Sequence, residues 1–103
     1  MKQVIALIKP YRARAVLEAL EAAGIRSASV REVMGFGRQK GRLNRYLGSE
    51  YNASFIPKIE LILFVPDELV ETAIRAVVGH ARTGRMGDGK ILVLPCHEAE
   101  IEW

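Results

Sequence analysis

Two glycine-rich stretches and a group of cations hold most of the chemical potential in this chain. The first stretch is Gly35-Phe36-Gly37-Arg38-Gln39, which runs directly into a basic segment carrying Lys40, Arg42 and Arg45. The second is Thr83-Gly84-Arg85-Met86-Gly87-Asp88-Gly89-Lys90. Glycines let backbone N–H groups turn toward an anion, and Arg82 and Lys90 add positive charge at either end of the second stretch. Gly84 to Lys90 even has the spacing of a Walker A phosphate loop. However, Ile91 follows, so no hydroxyl is available for magnesium. The surrounding pattern is helix–loop–strand, the reverse of a Walker A context. What remains is the simpler physics of an anion-binding turn, and a plain helix-to-strand turn would show the same glycines.

The other reactive side chains are scattered. His80 and His97 are isolated, which argues against zinc. Cys96 and His97 are neighbours that a strand would point to opposite faces, so Cys96 reads as a small buried hydrophobe. Glu50 and Glu60 make no evident carboxylate pair, and no Ser/His/Asp or Cys/His set is visible, so nucleophilic catalysis has no support. Tyr46 and Tyr51 fall in a long polar segment, where a modifying enzyme can reach a hydroxyl.

The totals narrow the class. A chain of 103 residues is one domain, residues 1–103. Its formal charge is +3 and its pI about 9.3. Four of the fifteen Lys and Arg residues lie between Arg38 and Arg45, so the charge is local. A local cluster suits an anionic partner: a nucleotide phosphate, a carboxylate metabolite or nucleic acid. Nucleic acid fits poorly, because aromatic residues are not interleaved with the cations. One cysteine cannot build an intrachain disulfide and points to a reducing compartment. No apolar run approaches the roughly 18–20 residues of a membrane span. The opening MKQVIALIKP has an apolar run of only Val4 to Ile8 before a charged helix. It therefore reads as a first strand in a cytoplasmic protein rather than a signal peptide.

The elements that must hold these residues follow from periodicity. Gln3 to Ile8 predicts a strand buried on both faces. Tyr11 to Ala23 predicts a helix burying Ala13, Val16, Leu17, Leu20 and Ala23, stopped by Gly24. Ile25 to Met34 and Ile59 to Val65 predict two further strands. A second helix opens at Asp67, a good N-cap, buries Leu69, Val70, Ala73, Ile74, Val77 and Val78, and stops at Gly79. Lys90 to Leu94 predicts the fourth strand, and the tail from His97 a further edge strand. Residues 35 to 58 have almost no core pattern, whereas most connections run to about 4–6 residues. Such a loop is usually functional.

The order β-α-β, long loop, β-α-β predicts an α+β, ferredoxin-like split β-α-β (βαββαβ) domain. Its four-stranded antiparallel sheet has two helices on one face. The other face has no cover within the chain, so self-association as a dimer or trimer is expected. The end of the second strand and the loop before the fourth would then meet across a subunit boundary. That would gather Arg38, Arg82 and Lys90 around one anion.

Over nearly its whole length the chain resembles the PII family of nitrogen-regulatory signal proteins. The motifs are IKPYR at 8–12, VMGFGRQKG at 33–41, YLGSEY at 46–51, FIPK at 55–58, VPDELVE at 65–71 and ARTGRMGDGKILVLP at 81–95. The resemblance implies a homotrimer that binds ATP or ADP, with AMP as an alternative, at three subunit clefts. It implies a T-loop at about 37–55 that docks on a target enzyme, transporter or regulator, and a nucleotide loop at about 82–90. By position, Gly35, Gly37, Arg38 and Gln39 match one wall of the nucleotide site. Leu7, Ser29 and Phe64 match the adenine lining, and Arg82, Gly87, Asp88, Gly89 and Lys90 the other wall. Gln39 matches the magnesium-holding residue. Lys58, with Gln39, Lys40 and Gly41, matches the 2-oxoglutarate site, and Tyr51 a site of uridylylation. Ile101 and Trp103 stand where the family has two phosphate-gripping arginines, which implies a weaker grip on ATP. Asn44, Leu47 and Ser54 depart from the family's T-loop, which bears on uridylylation and on the usual partners and suggests a specialised branch; a PII-like sensor that does not respond to 2-oxoglutarate is an alternative. The expected role is a non-enzymatic sensor, and the alternative a weak ATP-hydrolysing enzyme using the same cleft.

Overall fold

A computed structural model describes residues 1–35, 56–85 and 88–99. Strands β1 (Lys2–Ile8), β2 (Ser29–Gly35), β3 (Ile56–Val65) and β4 (Lys90–Pro95) form one sheet in the order β2-β3-β1-β4. Every neighbouring pair is antiparallel. Helix α1 (Ala13–Ala22) joins β1 to β2, and α2 (Val70–Ala81) joins β3 to β4. The two helices pack against each other on the same side of the sheet. This is the split β-α-β arrangement expected from the element order, with the central strands β1 and β3 drawn from the two halves of the chain.

The core lies between sheet and helices. Alternate residues Val4, Ala6 and Ile8 of β1 and Ile59, Leu61, Leu63 and Val65 of β3 meet Val16 and Leu20 of α1 and Ala73 and Val77 of α2. The expectation that β1 is buried on both faces is corrected: Gln3, Ile5 and Leu7, on its other face, are half-buried. Among the described residues no second layer covers that side. Pairing places Leu92, Ile5, Ile62 and Ser29 in one row across all four strands there, with Leu94, Gln3 and Phe64 in the next.

Several boundaries shift for local reasons. α1 begins at Ala13, after a 3-10 turn over Pro10–Arg12. Its end is as expected: Gly24 takes φ +88, the Gly24 N–H donates to the Glu21 carbonyl, and the Ile25 N–H donates to the Leu20 carbonyl. That is a Schellman cap, in which a left-handed residue satisfies the last carbonyls. Ile25 is therefore committed to the cap and to the core, and β2 starts at Ser29 rather than Ile25. β3 begins three residues early, at Ile56. Pro57 is tolerated because β1 pairing ends at Ile8–Ile59, leaving β3 with β2 alone as neighbour at that point.

Asp67 does not cap α2. It opens a 3-10 turn (Asp67–Leu69), and its Oδ1 lies 2.9 Å from the Met1 ammonium and 3.5 Å from Lys2 Nζ. Gly79 does not stop α2, which runs on to Ala81, since a glycine weakens a helix interior without forbidding it. Cys96 lies outside β4 and is half-buried rather than buried, its N–H donating to the Met1 carbonyl. Residues 97–99 form no strand. Among the described residues no helix is long and apolar enough to cross a membrane.

Candidate functional site

The loop between α2 and β4 lies against the end of β1 and walls a cleft of about 860 Å³. Two kinds of surface meet there. Leu7 and Ile91 from the sheet and Ile74, Val77 and Val78 from α2 supply apolar surface, while Arg82, Arg85 and Lys90 bring cations from the loop and its edges. An apolar wall beside convergent cations suits a ligand with a flat apolar part and an anionic part, and the volume is that of a small-molecule site. Thr83, Gly84, Asp88 and Gly89 complete the loop side.

The loop's path is fixed by its own side chains. Asp88 Oδ2 accepts a 2.6 Å hydrogen bond from the Thr83 hydroxyl, and the Thr83 oxygen accepts from the Arg85 N–H at 3.3 Å. The Asp88 N–H donates to the Arg85 carbonyl at 3.3 Å. Asp88 Oδ1 lies 3.6 Å from Lys9 Nζ, the first residue beyond β1. Gly89 packs so close to β1 that a Cβ there would stand 3.3 Å from the Leu7 carbonyl oxygen, tighter than side chains normally tolerate. Asp88 is held below the usual carboxylate range, first by the Thr83 hydrogen bond and then by Lys9, Lys58 and Arg85, with burial opposing.

Of the expected site residues, Leu7, Arg82, Asp88, Gly89 and Lys90 come together in this cleft. Lys58 is buried and close enough to act on Asp88, though it does not line the cleft. Gly35 ends β2. Ser29 and Phe64 lie on the uncovered face, and Phe64 is 56% exposed. Phe64 pairs with Gln3, four residues along β1 from Leu7, a separation of about 14 Å. One chain thus does not bring them to the cleft. Gly37, Arg38, Gln39, Lys40, Gly41, Tyr51 and Gly87, with the rest of the loop at 37–55, lie outside the described residues. Glu60 accepts a 2.7 Å hydrogen bond from Arg31 across β2–β3 and so has a structural partner. Among the described residues no three His, Cys, Asp or Glu side chains gather as a metal site.

Three contributors were not singled out from the sequence: Lys9, Thr83 and Arg85. Lys9 directly extends a buried strand, and a cation at such a position signals a partner brought from elsewhere. Thr83 gave no distinguishing signal, since it stands among glycines and charges in a turn.

Fold and cleft together define a ferredoxin-like α+β domain with an anion-attracting loop at the end of its central strands. The nitrogen regulatory protein P-II family model matches residues 1–101. Nitrogen regulatory protein P-II of Rhodobacter capsulatus is 52% identical over 99 residues, covering 96% of this chain and 88% of that protein. The P-II protein of Azospirillum brasilense is 48% identical over 98 residues, 95% of this chain and 88% of that one. Nitrogen regulatory protein P-II 1 of Escherichia coli K12 is 46% identical over 93 residues, 90% and 83% of the two chains. The chain belongs to the nitrogen regulatory protein P-II family.

Proposed function

We propose that this protein is a cytoplasmic signal-transduction protein that assembles as a homotrimer and binds an adenine nucleotide in the clefts between subunits. ATP or ADP is the expected ligand, with AMP as the alternative. The nucleotide, with magnesium held by Gln39 and 2-oxoglutarate held by Lys58, Gln39, Lys40 and Gly41, biases the 37–55 loop between conformations. A target enzyme, transporter or regulator of nitrogen metabolism reads the result. This is a differential-affinity switch: each ligand shifts the loop only by binding one state more tightly. Tyr51 is the candidate modification site on that loop.

The observation that carries the reading is the two-sided cleft, with Arg82, Arg85 and Lys90 facing an apolar wall. Ser29 and Phe64, exposed on the uncovered face, are supplied by a neighbouring subunit to close the adenine end, with Gly35, Gly37 and Arg38 on the phosphate side. The family relationship supports the regulatory role, since the relatives are named as nitrogen regulatory proteins. The hydrolytic alternative is disfavoured by Asp88. This carboxylate on the cleft wall is engaged by Thr83 and Lys9 and held low, and a general base near neutral pH needs the opposite.

Titration calorimetry with ATP, ADP and AMP, each with and without magnesium and 2-oxoglutarate, tests the proposal. Saturable binding of at least one nucleotide at one per chain is expected. No heat with any of them overturns the proposal, and phosphate release in a single turnover would favour the hydrolase.

A further inference from the structure

Lys9, Lys58 and Asp88 are the three charged side chains that are buried among the described residues, at 9%, 9% and 6% exposure. A buried charge is costly unless paired, and here the fold brings the charges together. β1 and β3 pair as far as Ile8–Ile59, so Lys9 and Lys58 extend the two central strands side by side. β4 enters its pairing at Lys90, opposite Leu7, so the residues just before it are delivered to the same place. Among the described residues, Asp88 lines the cleft and neither Lys9 nor Lys58 does, although Lys9 Nζ lies 3.6 Å from Asp88 Oδ1 and both cations act on that carboxylate.

That arrangement poses an electrostatic problem. Arg82, Arg85 and Lys90 favour an anion in the cleft, yet Asp88 presents a carboxylate to the same space. Like charges a few ångströms apart at low effective dielectric repel strongly. Lys9 and Lys58 offset that repulsion without lining the cleft. The same contact anchors the loop, since Asp88 reaches Lys9 through Oδ1 and the loop's own Thr83 through Oδ2.

We propose that Lys9 is a positioning residue of the cleft: acting through Asp88, it fixes the loop before β4 against the end of β1 and neutralises the carboxylate that an anionic ligand would meet. The inference rests on the nucleotide reading above. Lys9 acts without touching the ligand, so its effect scales with ligand charge and disappears once Asp88 is neutral.

The test compares wild-type protein, Lys9→Met, Lys9→Arg and Lys9→Met/Asp88→Asn by calorimetry with ATP, ADP and AMP. Lys9→Met should weaken ATP by about tenfold or more, ADP less and AMP least. Lys9→Arg should stay within about twofold of wild type. The double variant, which leaves no uncompensated carboxylate, should lose the charge dependence, recovering ATP affinity relative to AMP even where all three nucleotides share a loss from the missing anchor. It also keeps the test open if Lys9→Met alone folds poorly. Nuclear magnetic resonance titration of the Asp88 carboxyl carbon without nucleotide gives an independent readout, and its midpoint should rise in Lys9→Met. Wild-type affinities in Lys9→Met, or an equal loss for all three nucleotides with no recovery in the double variant, would overturn the inference while leaving nucleotide binding intact. So would an Asp88 titration indifferent to Lys9. Failure of the wild-type protein to bind any of the three would instead overturn the functional reading on which it rests.

Discussion

Asp88 concentrates the physics of the site in one side chain. The Thr83 hydroxyl, followed by Lys9, Lys58 and Arg85, holds its folded-state pKa below the ordinary aspartate value, against the effect of burial. A carboxylate depressed in this way contributes stability in full above its unfolded pKa. The contribution is lost as pH falls through the lower folded value, where proton uptake by the unfolded chain is matched by the folded one. Asp88→Asn should therefore lower the urea midpoint at pH 7 and at pH 5, and the gap from wild type should close as pH falls past the unfolded value and through the lower folded one. Asp67 is also lowered, by its hydrogen bond from the Met1 ammonium and by Lys2, but both proteins share it and it cancels in the comparison. A gap of constant size across this range would show that Asp88 contributes by shape and not by charge. A residue in the core should behave differently: Leu61→Ala, at a fully buried site on the central strand β3, should cost about 2–5 kcal/mol at any of these pH values.

The two helix-end glycines make opposite predictions although neither would meet a neighbour with an added Cβ. Gly24 is in the left-handed region, so Gly24→Ala should cost about 1–2 kcal/mol through the backbone alone. Gly79 lies within α2 at negative φ, so Gly79→Ala should stabilise the protein by about 0.5–1 kcal/mol. Thermal melts of the two variants check both signs. The same pair shows what was legible in the sequence. Both glycines follow an apolar helical stripe, and local pattern gives them the same meaning. Tertiary context separates them: Ile25 enters the core directly after Gly24, whereas Val77 and Ala81 hold the final turn of α2 against the sheet and the loop. The period of two in β3 and the stripes of both helices were readable because burial alone sets them. Asp67 was misread because its partners, the Met1 ammonium and Lys2, arrive from the other end of the chain. Within the site, Arg82, Asp88, Gly89 and Lys90 were readable because they are contiguous. Lys9 was not, because its role comes from strand register and from a loop some eighty residues later.

At the scale of the molecule, the uncovered sheet face decides how the parts combine. It presents Ile5, Ile62, Phe64, Leu92 and Leu94 with no layer above them among the described residues, and Phe64, Leu92 and Leu94 are exposed in the single chain. Burying apolar area of this kind returns about 25 cal/mol per Å², which favours association of identical copies through that face. Leu92→Glu, on the uncovered face and outside the cleft lining, should leave the protein monomeric in sedimentation velocity and abolish nucleotide binding, because Ser29 and Phe64 would no longer reach a neighbour's cleft. A monomeric Leu92→Glu protein that still bound nucleotide normally would place the whole site within one chain. The most direct test of the account is native mass spectrometry of the wild-type protein with excess ATP or ADP, since it reads assembly and occupancy together. The expected species has three times the 11.5 kDa chain mass and carries up to three nucleotides. A monomer, or a trimer that never gains nucleotide mass, would contradict the account.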